Sequence, residues 1–273
     1  MIELGFFTII KVVVSILVVV GLSLIAEWAG PRVAGIASGY PLGAAISLFF
    51  YGVENGNDFA GRSALFTAAG LTATVAFVSG YLLGIRLARN RGRPAALAAA
   101  VLLGLAAYGL AAWVLTFIPV NWISAPCLAV AAMILAGWRF RRIPDVNIRH
   151  RIRLGIAVAF LRAGFAAAVI LVITSVAGAV GPHWAGVFSA FPITMLPFLA
   201  IIQFSYRPDH VRAIIKNVPR GLGSLLVYAM VVAASAIRVG IGWATVLGYL
   251  AATVYLILLE TGSRLNVAAN RRA

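Results

Sequence analysis

The stretch Gly30-Pro31-Arg32-Val33-Ala34-Gly35-Ile36-Ala37-Ser38-Gly39-Tyr40-Pro41 decides the fold. It returns in the second half of the chain as Gly181-Pro182-His183-Trp184-Ala185-Gly186-Val187-Phe188-Ser189-Ala190-Phe191-Pro192. The copies lie 151 positions apart (181 minus 30), and six of the twelve positions are identical. The same offset aligns Lys11 with Arg162 and Ser23 with Thr174. Self-similarity of this kind predicts a chain that consists of two similar structural units.

The composition places these units in a membrane. The chain is 63% hydrophobic and 11% charged, and its mean hydropathy is +1.02. Apolar runs of about 18 residues are typical of transmembrane helices, and such runs fill nearly the whole chain. We therefore predict an all-α, polytopic membrane protein with about nine transmembrane helices. The predicted spans are residues 4–28, 33–51, 63–85, 95–117, 122–138, 154–179, 184–204, 217–237 and 240–260.

The duplication also predicts the domain organisation. Residues 1–273 form a single transmembrane domain, in which residues 1–117 are the first repeat and residues 154–273 the second. Residues 118–153 form a linking helix and a basic loop. The glycines of residues 80–84 and the Ala/Gly-rich run 95–112 are typical of closely packed membrane helices.

The basic residues predict the orientation of the chain. The net charge is +15, and the Arg and Lys residues concentrate in four segments at residues 86–93, 139–153, 207–220 and 264–272. Two predicted spans separate each segment from the next, so all four lie on one side, which the positive-inside rule makes cytoplasmic. The N-terminus is then outside and the C-terminus cytoplasmic. This distribution explains the charge without nucleic acid as a partner.

The offset of 151 residues contains five predicted spans, which is an odd number. The second repeat therefore enters the membrane upside down relative to the first. Inverted repeats of this type are common in secondary transporters, where the two halves exchange conformations around a site at the membrane midplane. The alternative is that the duplication only produces a stable helix bundle.

Two cations in apolar runs are the main candidate binding residues. Lys11 and Arg162 lie roughly 10–12 Å into their predicted spans, which places both within about 5 Å of the membrane centre. No carboxylate is expected at that depth, because Glu54 and Asp58 are predicted at the outer face. An ionisable group deep in a span marks a functional site by default, and two cations predict an anion-binding site. The alternative is that both side chains extend to the nearer interface.

The repeated segments supply the other candidates. Pro41 and Pro192 interrupt predicted helices, which frees backbone groups that a substrate could contact. Serine hydroxyls could donate to an anion or bond to their own helix, and the aromatic rings could line the path or simply pack. The alternative for the prolines is a simple kink. The candidate substrate-binding residues are thus Lys11, Arg162, Ser38, Tyr40, Pro41, Ser189, Phe191 and Pro192.

Short motifs around these positions resemble the GlpM-like bacterial membrane proteins. The matching residues are Ile10-Lys11-Val12, Ala34-Gly35 and Tyr40-Pro41 in the first half, and Leu161-Arg162-Ala163, Ala185-Gly186 and Phe191-Pro192 in the second. The chain is similar to two such units fused, with one helix added. The resemblance implies a bacterial inner-membrane location and little about the substrate. Arg162 departs from the lysine of that pattern but keeps the charge.

These features favour a secondary transporter or lipid flippase for an anionic substrate, such as a phosphate-bearing lipid or an organic anion. Its partners would be membrane lipids and that substrate, and a homodimer remains open. We expect no cofactor, metal site or catalytic residues, because no Cys/His cluster, phosphate-binding loop or nucleophile–base pair lies within a span. One alternative is a proton-coupled exporter of an amphipathic molecule, which needs a central carboxylate. The other is an accessory membrane protein without transport activity.

Overall fold

A computed structural model describes residues 9–14, 16–17, 20, 40–144, 156–205 and 208–270. The described residues are almost entirely helical, which confirms the predicted all-α class for this part of the chain. The helices are α1 (residues 9–14), α2 (Leu42–Asn55), α3 (Asn57–Leu87), α4 (Arg93–Leu115), α5 (Ser124–Phe140), α6 (Ile156–Ser189), α7 (Met195–Ser205) and α8 (Pro208–Asn270). The first copy of the repeated segment lies outside the described residues up to Gly39, and so does Ser38.

Among the described residues, four helical segments are long and apolar enough to cross a membrane. They are Asn57–Leu87, Arg93–Leu115, Phe160–Ser189 and His210–Gly262, whereas α5 and α7 are shorter apolar helices. Large apolar side chains such as Trp113, Ile134 and Leu258 are exposed on the outer surface. Since water penalises such exposure and hydrocarbon does not, these features indicate a membrane protein.

Helix α3 lies at the centre of the bundle and α4 at its edge. In the most apolar part of each helix, 78% of the residues are buried in α3 but only 22% in α4. Glycines let the two helices approach closely, because a Cβ atom on Gly84 would lie only 2.7 Å from the backbone nitrogen of Ala100. Small residues at such interfaces are how membrane helices gain van der Waals contact. The close packing predicted for residues 80–84 and 95–112 is therefore confirmed.

Three glycines with positive φ divide the helical stretches. Gly56 (φ 92°), Gly181 (φ 77°) and Gly240 (φ 80°) each adopt a backbone conformation that other residues rarely accept. At Gly240 the chain folds back on itself, since the rings of Tyr228 and Tyr249 lie 5.2 Å apart on its two sides. Helix α8 is thus a helical hairpin, and its two arms correspond to the predicted spans 217–237 and 240–260.

Candidate functional site

Lys11 lies in a polar cluster between the two halves of the chain. Its side chain is buried, with 6% of the residue exposed. The Nζ atom donates a hydrogen bond of 2.9 Å to Oγ1 of Thr174 in α6 and forms an ion pair with the carboxylate of Glu54 near the end of α2. It also lies 5.5 Å from the centre of the Phe50 ring. We call Lys11, Glu54, Thr174 and Phe50 the lysine cluster.

Glu54 corrects one expectation from the sequence. The carboxylate was expected at the outer face, away from Lys11, but the structure pairs the two side chains. Glu54 lies one residue before the end of α2, so the lysine reaches this end of the helix. The chain has only seven acidic residues, and this scarcity was the available signal that each carboxylate beside an apolar run was worth considering.

The local packing explains why the cluster forms at this point. The end of α2 lies against α6, because a Cβ atom on Gly178 would lie 2.9 Å from Oδ1 of Asn55. Thr174 lies one helical turn before Gly178, so its hydroxyl faces the same region. That hydroxyl accepts the lysine hydrogen bond and donates its own hydrogen to the backbone oxygen of Ile170, at 2.8 Å. A glycine and a threonine one turn apart therefore build the α6 side of the cluster.

The cluster is closed on the lysine side and partly open on the carboxylate side. The side chain of Lys11 is 7% exposed and that of Glu54 is 29% exposed. A buried ammonium group needs compensation, which Glu54 and Thr174 supply. Another anion that approached from the open side could take the place of the carboxylate on the lysine.

Arg162 has a different environment, although it is the repeat equivalent of Lys11. It lies in α6 and is 9% exposed, and its guanidinium carbon lies 4.8 Å from the centre of the Phe198 ring in α7. Arg162 and Thr174 are both in α6 and twelve residues apart, which corresponds to about 18 Å along the helix. Arg162 therefore lies far along α6 from the threonine that binds Lys11, and its ring contact is with α7. Their shared role in one site stays a prediction.

The structure brings the residues of the two repeated breaks together. Tyr40, Pro41, Ser189, Phe191 and Pro192 line one small cavity of about 30 Å³ between the start of α2 and the gap between α6 and α7. A cavity of this size holds about one water molecule. Neither Lys11 nor Arg162 lines it.

Three of the predicted side chains in this cavity have defined contacts. Ser189 donates a hydrogen bond of 3.2 Å to the backbone oxygen of Ala44 in α2, so its hydroxyl hydrogen is directed to another helix and not to its own. The Tyr40 hydroxyl lies 2.9 Å from Oγ1 of Thr253 in α8. Phe191 packs edge-on against Tyr108 of α4, with ring centres 5.2 Å apart. These contacts join the two breaks to each other and to their neighbours.

The break before α7 is held by hydroxyl groups from the first half of the chain. The helix is interrupted at residues 190–194, as predicted from Pro192. Backbone oxygens on and before this break accept hydrogen bonds from side chains of α2, α3 and α4. The bonds run from Tyr51 to Ala185 (3.1 Å), from Thr67 to Gly186 (3.0 Å), from Tyr108 to Val187 (2.5 Å) and from Thr74 to Ala190 (2.6 Å). Non-helical backbone in a membrane requires this kind of compensation, and sequence reasoning missed these four residues.

No family model matches the chain, and no curated protein or solved structure matches it either. The resemblance to the GlpM-like proteins therefore stays a prediction. Any function has to be argued from the geometry of the lysine cluster and of the two breaks.

Proposed function

We propose that this chain is a secondary transporter that moves an anionic, amphipathic substrate across the bacterial inner membrane by alternating access. The observation that carries the proposal is the lysine cluster. It joins a buried ammonium group to a partly exposed carboxylate and to a hydroxyl from the other half of the chain. A buried ion pair with one accessible partner is a site at which a substrate anion can replace the internal carboxylate.

The internal symmetry supports nine spans and an inverted repeat. Helix α3 begins at Asn57 and α8 at Pro208, and these positions are 151 residues apart (208 minus 57), which is the offset of the sequence repeat. Helices α2 and α7 also occupy corresponding positions, each after a break that contains a repeated proline. The hairpin at Gly240 then corresponds to the turn between α3 and α4. An odd number of spans per offset gives the inverted arrangement that alternating access uses.

The arrangement of basic residues supports the proposed orientation. Arg141, which follows α5, and Lys216, in α8, line the same cavity. Two of the four basic segments therefore lie at the same end of the bundle. Under the positive-inside rule this end is cytoplasmic, which places the C-terminus inside and the N-terminus outside.

The transport step follows from the exchange of anions on Lys11. In the resting state Glu54 neutralises the lysine, and the Thr174 hydroxyl accepts a hydrogen bond from it. A substrate anion that enters from the open side would displace Glu54, so that Lys11 carries the substrate instead and the carboxylate returns to water. The cavity between the two breaks has to widen for passage, because about 30 Å³ is too small for an organic anion. The breaks are suitable hinges, since their contacts are made between separate helices.

The same carboxylate favours a second candidate, a proton-coupled exporter. This alternative needs a central carboxylate, and Glu54 is paired with Lys11, the cation that is predicted near the membrane centre. Protonation of Glu54 would remove its charge, weaken the pair with Lys11 and couple a proton to the movement of substrate. The two candidates differ in whether an imposed proton gradient changes the transport rate.

A reconstitution experiment tests the main proposal. The purified full-length protein is placed in vesicles, and the movement of fluorescent phosphatidylglycerol and of radiolabelled glycerol phosphate is measured. We expect Lys11→Gln to slow the transported probe by about tenfold or more, because a charge-assisted hydrogen bond to the anion is lost. Arg62→Gln is the matched control, because Arg62 forms an exposed pair with Asp58. It should leave the rate unchanged.

Two results would overturn the proposal. One is a wild-type protein that moves neither probe faster than vesicles without protein, which favours an accessory role. The other is a Lys11→Gln variant as active as the wild type.

For the second candidate, Glu54→Gln should remove any acceleration by a proton gradient. An equal response in wild type and variant excludes Glu54 as the coupling group.

A further inference from the structure

A second cavity lies at the basic end of the bundle, between α5 and α8. Its volume is about 740 Å³. Its walls combine apolar side chains of α5 with cations from both helices, and the defining residues are Ile134, Leu135, Trp138, Arg141, Lys216 and Arg220. The lysine cluster and the two breaks contribute no residue to this cavity.

The apolar wall of the cavity faces outward. Ile134, Leu135 and Trp138 are 67%, 66% and 54% exposed, respectively. They lie within five residues of α5, so they occupy neighbouring positions on its surface. In a membrane this surface would contact lipid chains, because the residues that the structure describes leave it uncovered.

The cations lie at one end of that wall. Arg141 directly follows α5, about one helical turn beyond Trp138. Lys216 and Arg220 are four residues apart in α8, so they lie on the same face of that helix. No acidic side chain is among the described residues that line the cavity. The cavity thus has a cationic end and an apolar side, as a binding site for an anionic amphiphile requires.

We infer that this cavity binds an anionic phospholipid of the inner leaflet. The headgroup phosphate contacts Arg141, Lys216 and Arg220, and an acyl chain lies along Ile134 and Leu135. Arginine binds phosphate through two parallel hydrogen bonds, and basic cavities at the cytoplasmic ends of membrane helices attract anionic headgroups. The volume lies within the range of about 300–1,000 Å³ that is typical of small-molecule sites.

The apolar wall selects a lipid over a soluble phosphate. A small anion in water would contact only the cations, and exposed cations alone bind weakly in salt. A phospholipid adds the burial of its chain against the two aliphatic side chains and the tryptophan ring. This inference concerns a site separate from the lysine cluster and does not depend on transport activity.

Lipid binding to the full-length protein tests the inference. The protein is purified in a neutral detergent, and the binding of phosphatidylglycerol is compared with that of phosphatidylcholine with the same chains by native mass spectrometry. We expect the anionic lipid to bind more tightly. The triple variant Arg141→Gln, Lys216→Gln, Arg220→Gln should lower its affinity by about 100-fold, since each cation near a lipid headgroup contributes about fivefold.

A variant of equal charge loss provides the control. Arg86→Gln, Arg89→Gln, Arg93→Gln removes three cations from another basic segment, none of which lines the cavity. It should bind phosphatidylglycerol like the wild type. If both triple variants lost the same affinity for phosphatidylglycerol, the overall charge would explain the effect, and the proposed site would be wrong.

Two further measurements test the inference if the triple variant does not fold. In the unmodified protein, inorganic phosphate at millimolar concentration should fail to displace the lipid. The single change Leu135→Ser, at an exposed position, should weaken the binding of phosphatidylglycerol. Displacement by phosphate, or equal binding of the anionic and the neutral lipid, would overturn the inference.

Discussion

Each half of the chain has a cation at the same position of the sequence repeat, but the contacts of the two cations differ. Lys11 is paired with Glu54 and hydrogen-bonded to Thr174, whereas Arg162 lies over the ring of Phe198. Each of the two cations lies over an aromatic ring, Phe50 in α2 and Phe198 in α7, and these helices correspond in the repeat. The comparison teaches that the sequence repeat keeps a cation at the same position in both halves, while the contacts seen around the two cations differ.

The breaks show the same asymmetry. Hydroxyls of Tyr51, Thr67 and Thr74 satisfy backbone oxygens at the second break, but the equivalent residues of the second half are apolar. These equivalents are Ile202, Val218 and Leu225. The backbone oxygens at the second break therefore depend on hydroxyl groups of the first half. Substitutions in the first half should therefore disturb the second half more than they would if both halves made equivalent contacts.

The largest expected effect comes from separating Lys11 from its carboxylate. Glu54→Gln should lower the free energy of unfolding by about 2 kcal/mol, because it leaves a buried ammonium group without a counter-charge. Lys11→Met should cost less, since it leaves a carboxylate that is partly exposed. Thermal unfolding in detergent measures both changes.

A double-mutant cycle sharpens this comparison. The combination of Lys11→Met with Glu54→Gln should be more stable than the sum of the single effects, by about 1 kcal/mol or more. The combination of Arg162→Met with Glu54→Gln should be additive, because Arg162 lies about 18 Å along α6 from the threonine of the lysine cluster. Coupling of Arg162 to Glu54 as strong as that of Lys11 would contradict the two separate environments.

The next effect concerns the packing of the second break against α3. A Cβ atom on Gly186 would lie 2.6 Å from the Cβ atom of Phe66, so Gly186→Ala forces the two segments apart. We expect a loss of about 1.5 kcal/mol in the free energy of unfolding. Gly164→Ala is the control in the same helix, because nothing lies within 4 Å of the added atom. An equal loss of stability at both positions would show that the close contact with Phe66 is not its cause.

A smaller effect is expected from the hydroxyls at the break. Thr74→Val removes the hydrogen bond to the backbone oxygen of Ala190 and should cost about 1 kcal/mol of stability. Thr72→Val is the matched control, because the buried Thr72 hydroxyl has no hydrogen-bond partner among the described residues. That change should be neutral or slightly stabilising. The reverse ranking, measured by thermal unfolding, would refute the role of the first half in holding the break.

The smallest effect should follow from Arg162→Lys. A lysine keeps the charge above the Phe198 ring and loses part of the cation–π attraction, at a cost of about 0.5 kcal/mol. Lys11→Arg should cost more, because a planar guanidinium group has to replace an ammonium group between Glu54 and Thr174. Equal tolerance at both positions would mean that the two environments are interchangeable.

Much of the fold follows from the sequence because it depends on local composition. Helix α3 contains the predicted span 63–85 but begins six residues earlier, and α4 lies within two residues of the predicted span 95–117, since a bilayer requires continuous apolar helices of a fixed minimum length. The interruption at Pro192 was also predictable, because proline removes a backbone donor wherever it stands. The partial exception is α7, which is shorter than its predicted span 184–204 because that span contains the break.

By itself the sequence determined the helical class and the membrane environment. It also determined the repeat that aligns Lys11 with Arg162 and Pro41 with Pro192, because each of these features depends on residue type and spacing. Only the tertiary structure decided which groups meet. It brought Glu54 to Lys11 and the hydroxyls of Thr67 and Thr74 to a break more than 100 residues later in the chain. The physical reason is that partners of a buried polar group are selected by the packing of whole helices against each other. Hydrophobic periodicity and spacing along one chain carry no information on that choice.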